Sequence, residues 1–333
     1  MPGDRFARMQ QRKIGASGPR AGAIGLGCMN LSSYYDTSDE AKSRRVMARA
    51  VELGVTFFDT SDYYAHGVNE ELVGSCLSEV RDDVVIATKF GLVTGGGIDG
   101  SPTNVRRSCD ASLQRLGTDR IDLLYAHRVD PAIPVEETVG AMAELVSSGK
   151  VRNLGLSEVS ASTLRRACAV HPIAALQSEW SLWTRDLEAD VLPVARELGV
   201  TIVPYSPLGR GFLAGSVTKD TTFREEDFRG TLPRFSAENL AANEAIAARV
   251  RDFAVARDCT PGQIALAWLL AQGDDVIPIP GTRRVSYLEE NVAAAGIELS
   301  PADVRELQEL VPAHSVVGGR YHDWAGYSET PEP

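Results

Sequence analysis

Eight short apolar runs recur along the chain, and stretches with helical spacing separate them. They are residues 23–27, 55–59, 84–89, 121–127, 151–157, 173–177, 200–205 and 276–280. None alternates polar with apolar residues, so each reads as a strand covered on both faces. Covered strands interleaved with helices specify a parallel sheet, and eight such units favour its closure into a (β/α)8 TIM barrel. Helical segments are expected over 38–53, 103–116, 135–148 and 187–198, stopped by Gly54, Gly117, Gly149 and Gly199. The segment MQQRKIGASGPRAGAIGLG reads as an N-terminal β-hairpin turning at 15–19 and closing the barrel floor. No linker divides the chain, so one domain is expected over 1–333, with its core at about 14–312. Outside the repeat lie a long loop, 208–236, and a C-terminal helix and tail, with Tyr321, Trp324 and Tyr327 in residues 313–333. Loops of that length are either lids or disordered.

Bulk properties exclude several classes. A net charge of −11 argues against a nucleic-acid partner, which needs a positive stripe to neutralise phosphates. Five cysteines, Cys28, Cys76, Cys109, Cys168 and Cys259, are odd in number and never spaced C-x-x-C. They read as reduced thiols of a cytoplasmic protein, without a disulfide framework or a metal site. The N-terminus lacks the apolar stretch of a signal peptide. The longest apolar run, 264–271, is too short to span a bilayer. Nothing in the sequence marks an oligomeric interface.

The polar residues collect at strand ends. The second run ends on Asp59, the third on Lys89, the fourth on His127, the fifth on Ser157-Glu158, the sixth on Gln177 and the seventh on Tyr205-Ser206. In a parallel barrel these ends open on one face, where barrel active sites lie. Singly, such an acid is a turn residue, such a lysine a surface cation, and such a histidine a structural one. Three in succession at the ends of apolar strands point to a reaction site instead. The group suits proton transfer, with Tyr63-Tyr64 close behind Asp59. A phenol is a poor acid at neutral pH, an adjacent ammonium lowers its pKa, and a carboxylate keeps that ammonium charged. A histidine then donates a hydrogen bond to a substrate oxygen.

The segments FFDTSDYYAHGVNEELVG, ATKFG, RIDLLYAHRVDP, GKVRNLGLSE, LQSEWSL, VPYSPLGRGFLAG and IPGTRRVSYLEEN run in order from about residue 20 to 295. Together they resemble the aldo-keto reductase superfamily and its Asp-Tyr-Lys-His tetrad. The resemblance implies a (β/α)8 reductase in which Tyr64 is the general acid, Lys89 and Asp59 tune it, and His127 orients the substrate carbonyl. Tyr63 is the rival acid, and by the family spacing it packs behind Tyr64. The resemblance further implies NADPH as cofactor and a small-molecule carbonyl substrate. Around the adenosine and its 2′-phosphate it puts Gly281, Thr282, Arg283, Glu290 and Asn291. Along the pyrophosphate it puts Ser206, Leu208 and Arg210. Tyr205 would stack on the nicotinamide, Ser157 and Gln177 would hold its carboxamide, and Met29 would line the cofactor and substrate pocket beside Tyr34, Phe90, Trp180 and Trp324. Two departures stand out: Glu158 replaces a common asparagine, and Tyr287 falls where some branches carry a second arginine.

Phosphate binding has an independent basis. Residues 279–291 follow the last strand and open a helix, and a helix start with Arg283 and Arg284 beside it attracts phosphate. The glycines of GGGIDG, Gly95, Gly97 and Gly100, fit a dinucleotide fingerprint in spacing only. Ser101-Pro102 separates them from the next helix, so they read as a mobile loop. Two rivals to carbonyl reduction remain at this level. One is a Schiff-base lyase using Lys89, which needs a neutral amine that Asp59 opposes. The other is a cofactor-binding regulatory subunit with little turnover.

Overall fold

In the computed structural model of the protein, residues 9–32, 39–225, 227–313, 315–322 and 328–329 are described. Tyr34, Trp324, Tyr327 and the expected helix start at Ser38 lie outside them. An antiparallel hairpin comes first, β1 (Gln11–Lys13) and β2 (Arg20–Gly22). Its turn is closed by Ile14 N–H donating to the Pro19 carbonyl at 2.9 Å. Gly15 sits in this turn at φ 69, and a Cβ there would meet Ala174 Cα at 2.8 Å, so both backbone and space demand glycine.

Seven parallel strands follow in sequential order: β3 (Leu26–Gly27), β4 (Phe57–Asp59), β5 (Val85–Phe90), β6 (Ile121–Ala126), β7 (Val151–Ser157), β8 (Ile173–Glu179) and β9 (Thr201–Tyr205). The eighth run, 276–280, closes the ring without forming a regular ladder. Ile277 and Ile279 donate to the carbonyls of Ile202 and Pro204 at 2.9 and 3.0 Å. On the other side Gly25 and Gly27 donate to Pro278 and Pro280 at 3.0 and 3.3 Å. The two prolines have no N–H to return toward β3, which breaks the ladder but not the closure. The chain is therefore a (β/α)8 barrel.

Helices cover the outside: α1 (Glu40–Glu52), α2 (Val68–Leu77), α3 (Pro102–Leu116), α4 (Val135–Ser147), α5 (Ala161–Val170), α6 (Val191–Glu197), α7 (Ala237–Val255), α8 (Pro261–Leu270), α9 (Val285–Ala293) and α10 (Pro301–Leu310). Their ends follow local chemistry. Asp39 caps α1, and Ser101 caps α3 with Pro102 in its first turn and Gly117 at φ 62 past its end. The helix expected over 187–198 is split: a 3-10 turn, Asp186–Glu188, precedes α6. Pro193 is the cause, because its ring excludes the helical carbonyl of Ala189 four residues earlier. Helix α9 packs on α1 and completes the outer ring, while α7 and α10 pack on each other as additions to it.

Alternation along the strands divides the core in two. One set of side chains fills the barrel interior: Phe57, Ala87, Tyr125, Ala175, Val203 and Ile277, with Ile14 and Ala21 of the hairpin region among them. The other set lies between sheet and helices and includes Phe58, Ile86, Leu124, Leu176 and Ile202. Gly155 is required inside, since a Cβ there would stand 2.4 Å from the Tyr125 ring. The loop 208–236 is packed. It carries 3-10 turns at Gly209–Gly211, Phe228–Thr231 and Pro233–Phe235. Phe212 stacks on Trp183 with ring centroids 4.3 Å apart, and Phe235 meets Trp183 edge-on.

Candidate active site

Each polar strand-end residue lies two positions beyond an interior apolar one, which puts it one layer higher on the same face. Asp59 follows Phe57, Lys89 follows Ala87, His127 follows Tyr125, Gln177 follows Ala175 and Tyr205 follows Val203. The top layer of the barrel interior is thus polar and lies at the C-terminal rim. Tyr64 comes from the turn after β4. Ala65, His66 and Gly67 all have positive φ there, at 47°, 54° and 91°, and fold the chain back over the rim.

Lys89 is fully buried and uses all three ammonium hydrogens. It donates to Asp59 Oδ1 at 2.5 Å, to the Thr60 carbonyl at 2.8 Å and to Tyr64 Oη at 3.2 Å. The ammonium thus reaches Tyr64, whereas Tyr63 lies half-exposed on the cleft wall, edge-on to His127, instead of packing behind. The His127 ring stands edge-on to Tyr64 with centroids 6.0 Å apart. Its Nδ1 is 3.2 Å from the Ser61 hydroxyl.

The electrostatics correct one expectation. Burial raises the Tyr64 pKa, and the opposing pull of Lys89 does not overcome it. Tyr64 is therefore held as a protonated phenol. Burial works against the Lys89 ammonium as well, but Asp59 and the phenol oxygen outweigh it and raise the Lys89 pKa. Lys89 is held charged, which is the wrong state for a Schiff-base nucleophile. Burial, together with the charges of Arg128 and Lys89, pushes His127 well below its ordinary pKa, so its imidazole is neutral.

Asp59, Tyr64 and His127 line a cleft of about 1110 Å³, with Lys89 buried behind them. Met29 lines one side of it. Tyr205, Ser206, Leu208 and Arg210 line the wall after β9. Gly281, Thr282, Arg283, Glu290 and Asn291 line the wall after the closing strand. Gln177 also lines the cleft, but its amide donates to Asp59 Oδ2 at 2.8 Å. Ser157 lies outside the lining, and its hydroxyl accepts from Arg128 Nη1 at 3.0 Å. Phe90 and Trp180 belong to the packing between sheet and helices, where Trp180 meets Trp268 edge-on. The glycines of residues 95–97 tip a small hairpin over the cleft, tied by Val93 N–H to the Gly97 carbonyl at 3.1 Å.

Glu158 is turned out of the cleft by its backbone. It adopts φ 54 and points away from the cleft. Its carboxylate meets Arg320 at 3.2 Å on both oxygens and accepts from Ser328 at 2.7 Å and from Glu179 N–H at 2.8 Å. The tail is tied to the barrel there, and Tyr321 next to Arg320 closes part of the cleft beside Tyr205. Arg128 was missed by the sequence reading, because strict alternation would send it outside. The strand ends at Ala126, so alternation no longer applies, and the guanidinium lines the cleft.

The cleft fits a dinucleotide on its own observations. Helix α9 begins at its edge with no side chain capping its first N–H groups, between Arg283, Arg284 and the Gly281-Thr282 backbone. Asn30 also lines the cleft. Arg284 lies over the Tyr287 ring at 5.1 Å, so an arginine stands near the position where sequence alone has only tyrosine.

Comparison with known proteins agrees with this architecture. The sequence pattern of the Aldo/keto reductase family matches residues 23–312. A probable aldo-keto reductase 1 from Glycine max is 47% identical over 323 residues, covering 95% of this chain and 93% of its own length. A glycerol dehydrogenase from Gluconobacter oxydans has a TM-score of 0.83 at 27% identity, covering 90% of this chain and 94% of that one. An aldo-keto reductase from Bacillus halodurans in its holo form has a TM-score of 0.77 at 28% identity, covering 95% and 99%. Such proteins work with nicotinamide cofactors. The matched span, the relative and the barrel agree: the chain belongs to the aldo/keto reductase family, oxidoreductases acting on carbonyl groups.

Proposed function

We propose that the protein reduces an aldehyde or ketone to the alcohol with NADPH, Tyr64 serving as general acid. The observation that carries this reading is the Lys89 ammonium, which bonds Asp59 and Tyr64 Oη at the floor of an open cleft. Bound dihydronicotinamide supplies the hydride. The substrate carbon gains that hydride, the carbonyl π pair moves to oxygen, and Tyr64 gives that oxygen its proton. Lys89 stabilises the phenolate left behind, and Asp59 keeps Lys89 charged and in place. Neutral His127 donates a hydrogen bond to the reacting oxygen from one ring nitrogen. The barrel walls orient the carbonyl and keep water away.

Arg283 at the α9 terminus supports NADPH over NADH, because the extra 2′-phosphate suits a guanidinium. The five unpaired cysteines support a reducing, cytoplasmic setting. No helix among the described residues is long and apolar enough to cross a membrane.

The test is NADPH oxidation against a panel of aldehydes and ketones, with Tyr64→Phe in parallel. Tyr64→Phe is expected to retain NADPH binding and to lose about 100-fold or more in rate, the usual scale for a general acid. Full activity in Tyr64→Phe with a dead Tyr63→Phe contradicts the acid assignment. NADPH binding without turnover on any carbonyl points to a regulatory subunit instead.

A further inference from the structure

Arg128 opens the loop after β6, one residue beyond His127, and lines the cleft floor. Its Nη1 donates to the His127 carbonyl at 2.6 Å and to the Ser157 hydroxyl at 3.0 Å. Both hydrogens of that nitrogen are thereby used, and the guanidinium is held in one orientation. Its Nε is buried and makes no hydrogen bond among the described residues. Among the described residues no carboxylate stands within ion-pair distance of Arg128. The acid that acts on it through space is Glu158, whose oxygens are taken by Arg320, Ser328 and the Glu179 N–H.

A largely buried cation without a contacting anion is costly to maintain. The other charges at the reaction centre are already balanced: Lys89 is paired with Asp59, and His127 is neutral. The donor of Arg128 left over toward the cleft is Nη2. Its two N–H groups are held in a fixed plane and can bond a carboxylate, a directional contact that a point charge such as lysine reproduces only in part. Arg128 and Tyr64 line the same cleft, so an anion on Nη2 shares the chamber with the acid that would protonate the carbonyl oxygen.

We propose that Arg128 is a specificity-determining residue that binds a carboxylate carried by the carbonyl substrate. The preferred substrates are then short oxo acids, either 2-oxo acids or aldehyde acids with the two groups a few carbons apart. This rests on the carbonyl-reducing reading of the site.

The experiment compares matched carbonyls on the full chain: succinic semialdehyde with butanal, and 2-oxobutanoate with 2-butanone. Each is assayed by NADPH oxidation with the wild type, Arg128→Gln and Arg128→Lys, and the NADPH Kd is read by protein fluorescence. In Arg128→Gln the kcat/KM ratio of oxo acid to neutral partner is expected to fall about 10- to 100-fold, mostly through KM, the scale of a hydrogen-bonded charge contact. Arg128→Lys is expected to restore part of the ratio, and NADPH Kd to change less than about 2-fold. Equal loss on both members of a pair overturns the proposal, as does a parallel loss of NADPH binding, which would make Arg128 a cofactor or structural group. A wild type that reduces butanal without preferring succinic semialdehyde sinks the proposal while leaving carbonyl reduction standing. A wild type that binds NADPH and reduces neither sinks both.

Discussion

Gln177 donates its side-chain amide to Asp59 Oδ2, the oxygen that Lys89 does not use. The carboxylate therefore has one donor on each oxygen, and both donors are buried. Gln177→Met removes one of them and leaves half of a buried anion unmatched. A loss of about 2 kcal/mol of stability is expected, on the scale of a hydrogen bond to a charged group. Urea denaturation measures it, and an unchanged midpoint would show that the bond is not made in solution.

The pH profile of reduction follows from two directions of shift. Burial holds Tyr64 protonated to higher pH than a free phenol and keeps His127 neutral to lower pH than a free imidazole. Neither group changes charge between about pH 6 and 8, whereas an ordinary histidine titrates near 6.5. Steady-state kcat/KM is expected to show no inflection from either group across that range; Asp62, pushed up to about 7 by burial, is the carboxyl that titrates there. An inflection near 6.5 that disappears in His127→Gln contradicts the neutral assignment.

Glu158 links tail attachment to acid stability. Burial opposes its carboxylate, but Arg320, Arg128, the Glu179 N–H and Ser328 lower its pKa to about 2, against 4.5 for the free group. Between those values the unfolded chain takes up a proton that the folded chain refuses. The contribution is thus complete above about pH 4.5 and disappears as pH falls toward about 2. Glu158→Gln is expected to cost about 3 kcal/mol at pH 7, the scale of breaking a buried pair, and to flatten this part of the stability curve. Thermal melts of both proteins across that range supply the comparison.

Arg283 is the residue expected to separate the two nicotinamide cofactors. Arg283→Leu should weaken NADPH about 10- to 100-fold and leave NADH nearly unchanged, since only one carries the 2′-phosphate. Fluorescence titration with each cofactor gives both constants. Equal weakening of the two would place Arg283 elsewhere on the dinucleotide.

The barrel was legible because strands buried on both faces cannot hide their composition. The rim was legible because Asp59, Lys89 and His127 contradict the apolar runs that they end. What sequence did not resolve was which partner each polar group takes. Gln177 was expected on the cofactor and Glu158 stood out only as a strand-end acid in place of a common asparagine, because their partners Asp59 and Arg320 are 118 and 162 residues away. Other misreadings were avoidable: Phe90 cannot line the cleft when its neighbour Lys89 points inward, since adjacent strand residues face opposite sides. The break before α6 was likewise announced by Pro193.

The two prolines of the closing segment return no N–H bond across the seam toward β3, so that seam is held by the Gly25 and Gly27 amides alone among the described residues. Gly27 and Gly281 meet across that seam, and both border the cleft. A ligand lying over them acts as a clasp, so occupancy of the cleft and integrity of the cylinder become one equilibrium. Backbone amides flanking the join, at Gly25 and Gly27, are then the natural reporters of whether the clasp is fastened.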